Sequence, residues 1–150
     1  NDVRNELHKA GLVFSPETAL GAMIETPAAA ATVRDILEQV DFISVGTNDL
    51  LQYFMAADRD NESVLHYQDA ASPAFLWLLD LIIKHARESG REMDVTVCGE
   101  VSSDPHMLPH LFRMGYRSFS ISPASAGVFR TACAEFRQTA AVRGRQASIR

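Results

Sequence analysis

Val40-Asp41-Phe42-Ile43-Ser44-Val45-Gly46-Thr47-Asn48-Asp49-Leu50 decides the fold. The run is mostly apolar and then turns abruptly polar. A parallel strand buried on both faces reads as such a run, without strict alternation. We expect a strand over 40–46 that ends on Thr47, Asn48 and Asp49, with a short helix over 50–57. Three other stretches share this layout. Gly21-Ala22-Met23-Ile24-Glu25 is apolar and closes on a carboxylate. Asp94-Val95-Thr96-Val97-Cys98 closes on Gly99-Glu100. Tyr116 to Ser122 closes on Ser120 and Ser122, with Ser125 just beyond.

Helical spacing fills the intervals. Val3, Leu7 and Ala10 share a face before Gly11, a plausible C-cap. Pro27 opens an alanine-rich helix through Val33, Ile36 and Leu37. Asp58 to Ser72 is polar and reads as a loop. Pro73 opens an amphipathic helix through Phe75, Leu78, Leu79, Ile82, Ile83 and Ala86 that stops at Gly90. Asp104 as N-cap and Pro105 in the first turn start a helix through Leu108, Leu111 and Phe112 to Gly115. Ala124 to Arg137 is the last helix. The order is one helix and then four βα units. This is an α/β chain with a parallel sheet, expected to be buried on both faces. It amounts to the C-terminal half of a (β/α)8 TIM-type barrel over residues 1–137. Residues 138–150, with Arg143 and Arg145, form a basic tail expected to fray.

Composition narrows the function classes. The 150 residues are 47% hydrophobic and 22% charged, enough for a packed core. A formal net charge of −5 argues against a nucleic-acid binder that relies on bulk positive charge. Cys98 and Cys133 make neither a disulfide framework nor a zinc-ligand spacing, so a reduced, cytoplasmic setting is expected. No apolar stretch is long enough for a membrane span, and the start lacks a secretory layout. The chain begins without Met and in what reads as mid-helix, so we expect a piece of a longer protein.

In parallel barrels the chemistry sits at the C-terminal ends of the strands. Glu25, just before Thr26-Pro27, is a poor helix cap. With Asp49 it offers two carboxylates on neighbouring strand ends. Such a pair suits magnesium or manganese, which keep waters and share substrate oxygens. For Thr47, Asn48, Ser102 and Ser122, capping is an equally good reading. Arg59, within Asp58-Arg59-Asp60-Asn61, suits either a phosphate clamp or an ion pair with Asp58 or Asp60. Cys98 suits either proton transfer to carbon or packing as a small hydrophobe. Cys133 reads as packing. His8, His85 and His110 read as surface residues, and no histidine has a ligand-spaced partner.

Met23-Ile24-Glu25-Thr26-Pro27-Ala28-Ala29 and Ser44-Val45-Gly46-Thr47-Asn48-Asp49-Leu50 with Gln52-Tyr53 carry a resemblance. So do Asp58-Arg59-Asp60-Asn61, Ser72-Pro73 and Cys98-Gly99-Glu100. Together, over roughly residues 5–135, they resemble the phosphoenolpyruvate-utilising enzymes. The likeness is greatest to the barrel domain of the phosphoenolpyruvate-protein phosphotransferases. The resemblance implies Glu25 and Asp49 as magnesium ligands, and Asn48 and Arg59 as contacts of the substrate phosphate. It implies Cys98 as the acid that protonates C3 of enolpyruvate. It also implies a phosphoryl group passed through a histidine on another domain to an HPr-type phosphocarrier protein, with phosphoenolpyruvate and pyruvate as small-molecule partners. Asp60 departs from the family, where Gly is common.

Pyruvate phosphate dikinase and phosphoenolpyruvate synthase share the Cys-Gly-Glu element. Citrate-lyase-type aldolases share the strand-end Glu and the Asn-Asp pair but lack the Cys98 and Asp-Arg-x-Asn features. A dimerisation module is the non-catalytic alternative. Two unpaired sheet edges would favour a homo-oligomer. Sugar uptake, nitrogen regulation and a fused system all accord with the resemblance.

Overall fold

The computed structural model describes the backbone of residues 2–147 and the side chains of residues 3–139. In order along the chain it has α1 (Asp2–Lys9), β1 (Gly21–Ile24), α2 (Pro27–Ala31), α3 (Val33–Leu37), β2 (Phe42–Gly46) and α4 (Thr47–Met55). There follow α5 (Pro73–Glu88), β3 (Val95–Cys98), α6 (Leu108–Met114), β4 (Ser118–Phe119) and α7 (Ala126–Ala147). The four strands form one parallel sheet in the order β1-β2-β3-β4. Sequential parallel neighbours joined by helices are what half a (β/α)8 barrel requires.

The core lies between this sheet and the helices. Ile24, Ile43, Val45, Val95 and Val97 are buried against Phe75, Leu79, Ile82 and Ile83 of α5 and against Val33 and Leu37 of α3. The opposite face of the sheet carries Met23, Phe42, Ser44, Thr96, Cys98 and Ser118, none of them buried. Burial on both faces was expected and is not found among the described residues. Ser44 is the residue in the decisive run that marks the difference, because it falls on the uncovered side.

Local chemistry moves several boundaries. The helix expected across 27–37 is two. Thr26 caps α2 by accepting from Ala29 N at 3.2 Å, and the Thr32 hydroxyl donates to Ala28 O at 3.0 Å where the helix breaks. Such back-bonding offers the main chain an alternative to continuing the helix. Asp104 does not begin α6 directly. Its carboxylate accepts from His106 N at 2.8 Å in a turn that precedes the helix. β4 is shorter than the expected Tyr116–Ser122 stretch. The backbone of α7 continues past Arg137 to Ala147, through most of the expected tail, and residues 148–150 lie outside the described residues.

Arg91 ties the turn before β2 to the end of α5. Its guanidinium donates to the carbonyls of Leu37 at 2.8 Å, Val40 at 3.1 Å and Asp41 at 2.8 Å, and pairs with Asp94. Tyr116 is fully buried, and its hydroxyl donates to Leu79 O at 2.8 Å. Burial, and secondarily the charge of Asp80, push its ionisation well above the ordinary phenol range. A group with a raised folded pKa contributes its full stability below its unfolded value and loses it above. The Tyr116 contribution should therefore hold up to about pH 10 and decline at higher pH. Tyr116→Phe should cost about 1 kcal/mol at neutral pH and flatten that alkaline decline, as read from urea unfolding across the pH range.

Candidate functional site

The site is built where β2 and β3 end side by side. Gly46 of β2 pairs with Cys98 of β3, and Gly46 also caps α4. Thr47, Asn48 and Asp49 are thus the first turn of α4, which starts earlier than the helix expected over 50–57. Thr47 is fully buried, and its hydroxyl donates to the Cys98 carbonyl at 2.7 Å. The side-chain oxygen of Asn48 accepts from Glu100 N at 2.9 Å. Neither side chain caps its own helix; both reach across to the next strand. With its oxygen committed, the Asn48 amide keeps its N–H groups as donors.

Gly99 sits inside this clasp with φ 93° and ψ −175°. That region is essentially restricted to glycine. A Cβ there would lie 2.5 Å from Thr47 Oγ1 and 2.6 Å from Asn48 Oδ1. Both conformation and space demand glycine. Ser102, also buried, has its hydroxyl 2.7 Å from the carbonyls of both Gly99 and Ser120, which ties the turn to the segment after β4. The capping reading holds for Ser122, which accepts from Ser125 N at 3.3 Å.

The half-buried thiol of Cys98 lies on the uncovered face of the sheet. Its Sγ is 3.3 Å from Ser44 Oγ, which donates to it, 3.3 Å from the Val45 carbonyl and 3.8 Å from Met23 Sδ. Glu25 follows β1 directly, and its Cβ lies 3.2 Å from where a Cβ on Gly46 would stand. Glycine at 46 therefore lets the end of β1 close against the start of α4. No hydrogen bond or ion pair engages the Glu25 carboxylate among the described residues. Arg59 pairs with Asp49, Nη1 to Oδ1 at 3.2 Å, and its N–H donates to Gln52 Oε1 at 3.4 Å. It does not pair with Asp58 or Asp60. Asp58 instead accepts from Asp60 N at 3.0 Å in a local turn.

A cleft of about 600 Å³ adjoins this edge, lined by Asn48, Arg59, Asp60, Gln68, Glu100 and His106 among others. Glu25, Asp49 and Cys98 are not on its wall. The structure thus joins Asn48 to the Cys98–Glu100 turn, and Arg59 to Asp49. Glu25 stands at the end of β1 with its carboxylate unpaired among the described residues. Among the described residues no three acidic, His or Cys side chains cluster closely enough to hold a metal by themselves. Two hard carboxylates match an ion that completes its shell with water and substrate oxygens. Nothing in the sequence pointed to Gln68 at the cleft, and Gln52, part of a resemblance motif, had no role assigned beside Arg59. Ser44 was visible as part of a resemblance motif, but its place beside Cys98 was not.

Gly99→Ala should destabilise the fold by about 2 kcal/mol or more, since it combines a strained backbone with a clash on two hydrogen-bonding side chains. Chemical denaturation of the variant beside the natural sequence measures this, and a change below about 0.5 kcal/mol would contradict the clasp.

The family model described as PEP-utilising enzyme, PEP-binding domain, matches residues 1–138. The phosphoenolpyruvate-protein phosphotransferase of Cupriavidus necator is 42% identical over 121 residues, 81% of this chain and 20% of that protein. That of Bacillus subtilis is 40% identical over 122 residues, again 81% of this chain and 21% of the relative. The phosphoenolpyruvate synthase of Pyrococcus furiosus is 40% identical over 128 residues, 85% of this chain and 15% of that protein. The chain therefore spans about a fifth or less of the curated relatives it matches.

Proposed function

The chain belongs to the PEP-utilising enzymes, within their PEP-binding domain, and we propose that the ends of β1, β2 and β3 form the half of a phosphoenolpyruvate site that holds metal, phosphate and proton donor. The observation that carries this is the clasp that sets the Asn48–Asp49 turn beside Cys98. Glu25 and Asp49 would hold magnesium, or manganese in its place, which would supply positive charge to offset the phosphate and the oxygen it leaves. Asn48 donates its amide N–H to a phosphate oxygen. Arg59, now on Asp49, turns its guanidinium to the phosphate, where a planar fork binds oxygen pairs well. Cys98 then delivers the thiol proton to C3, which breaks S–H and forms C–H as pyruvate results. Asp60 lies on the cleft wall beside Arg59, where its negative charge opposes phosphate binding.

For the full-length protein the reading is a phosphotransferase. Phosphoenolpyruvate phosphorylates a protein histidine outside this chain, and the phosphoryl group passes to an HPr-type carrier. Similarity to the Pyrococcus furiosus phosphoenolpyruvate synthase supports a second reading, in which the acceptor differs and the half site is the same. No helix among the described residues is long and apolar enough to cross a membrane, and a cytoplasmic setting accords with free thiols at Cys98 and Cys133.

In the full-length protein, Asp49→Ala should lower metal-dependent phosphorylation from phosphoenolpyruvate by at least about 100-fold; normal activity would sink the assignment. Expressed as these 150 residues, the chain should self-associate through the edges at β1 and β4 and the uncovered sheet face. Light scattering that shows a stable monomer would contradict that.

A further inference from the structure

Thr47 is a wholly buried polar side chain whose hydroxyl is spent on one group, the carbonyl of Cys98, at 2.7 Å. We infer that Thr47 is a positioning residue that fixes the Cys98 thiol relative to the Asn48–Asp49 turn. The inference rests on the proton-donor reading of Cys98 and adds a role that this reading does not need.

The physical case starts from Gly99. β3 ends at Cys98, and the next residue has no Cβ and sits at φ 93°. A glycine there leaves the peptide between residues 98 and 99 free to rotate unless something holds it. Thr47 holds that peptide by the Cys98 carbonyl, and the next peptide is held by Asn48 at Glu100 N, 2.9 Å, and by Ser102 at the Gly99 carbonyl, 2.7 Å. The side-chain contacts of Cys98 are weaker restraints: a hydroxyl and a carbonyl each 3.3 Å from sulfur, and a thioether at 3.8 Å. Sulfur makes weak hydrogen bonds. The strong restraint on the thiol is therefore on its own main chain, which strand pairing holds up to Cys98 and Thr47 holds beyond it.

Placement matters for this step more than for binding. Moving a proton from sulfur to carbon needs the thiol over one face of a planar enolate, and a misplacement of 1 Å can cost on the order of 100-fold. Phosphate and metal contacts tolerate more, because ionic contacts fall off slowly with distance. Thr47 and Asn48 are successive residues of α4. The turn that holds the phosphate thus also indexes the proton donor, and the two halves of the chemistry move as one body.

The test uses the full-length protein and two measurements. The first is exchange of pyruvate methyl protons with solvent deuterium, followed by proton NMR. In that reaction the Cys98 thiolate takes a proton from C3, the thiol exchanges with D2O, and a deuteron returns to carbon. The second is magnesium-dependent affinity for phosphoenolpyruvate, by calorimetry. Thr47→Val keeps the shape and removes the hydroxyl. It should lower kcat for exchange on the order of 100-fold with KM for pyruvate and affinity for phosphoenolpyruvate unchanged. Thr47→Ser, which keeps the hydroxyl, should restore exchange.

Equal loss of exchange and affinity in Thr47→Val would overturn the inference, because the role would then be structural. So would unchanged exchange, or a failure of Thr47→Ser to rescue. If Thr47→Val does not fold, the rescue by Thr47→Ser with a normal kcat is set against Thr47→Ala with the same measurements. Cys98→Ala separates this inference from the one beneath it. Exchange that survives in Cys98→Ala removes the proton-donor reading, whereas exchange lost there and intact in Thr47→Val removes the role of Thr47 alone.

Discussion

The structure turns on a pair of hydrogen bonds that wrap around a glycine. Thr47 Oγ1 to Cys98 O at 2.7 Å and Glu100 N to Asn48 Oδ1 at 2.9 Å join the start of α4 to the end of β3. Gly99 is what lets them form, since any side chain would occupy their space. Parallel strands bring their C-terminal ends to one edge as a matter of topology. Topology alone does not decide which atoms meet there. The clasp does, and it ties the Asn48–Asp49 turn to Cys98 through main-chain atoms and the buried Thr47 hydroxyl, which hold position better than exposed ion pairs.

The exposed part of the site behaves differently. Arg59 and Asp49 are close, but both are substantially exposed, so their attraction is screened and easily exchanged. Such a pair suits groups that must each take another partner. Asp49 can turn to a cation and Arg59 to a phosphate without breaking the core. The sheet shows the same division. Its helix-covered face is a dry core of Ile24, Ile43, Val45, Val95 and Val97, while the other face mixes the polar Ser44, Thr96 and Ser118 with the exposed Met23 and Phe42.

The sequence made the four βα units legible because three strands are short apolar runs with a polar stop and the fourth alternates polar and apolar residues from Tyr116 to Ser122. Pro27, Pro73 and Gly90 then punctuate the helices. The uncovered face was not legible from the apolar runs, because Ser44 and Thr96 are single polar residues in otherwise apolar strands, and their meaning depends on register. Candidate residues Glu25, Asn48, Asp49, Arg59 and Cys98 were recognisable by chemistry at strand ends. Their pairing was not: the sequence offered Asp58 and Asp60 as neighbours for Arg59, and the fold chose Asp49, ten positions away. Capping residues and bridging residues share the same chemistry, so Asn48 and Ser122 looked alike until their partners were known.

The most direct test of the account is a calorimetric titration of the full-length protein with phosphoenolpyruvate, with and without magnesium, in the natural sequence and in Asn48→Ala. The account predicts binding that needs magnesium and weakens about 10-fold to 100-fold when the Asn48 amide is removed. Binding of equal strength without magnesium, or unchanged by Asn48→Ala, would contradict it.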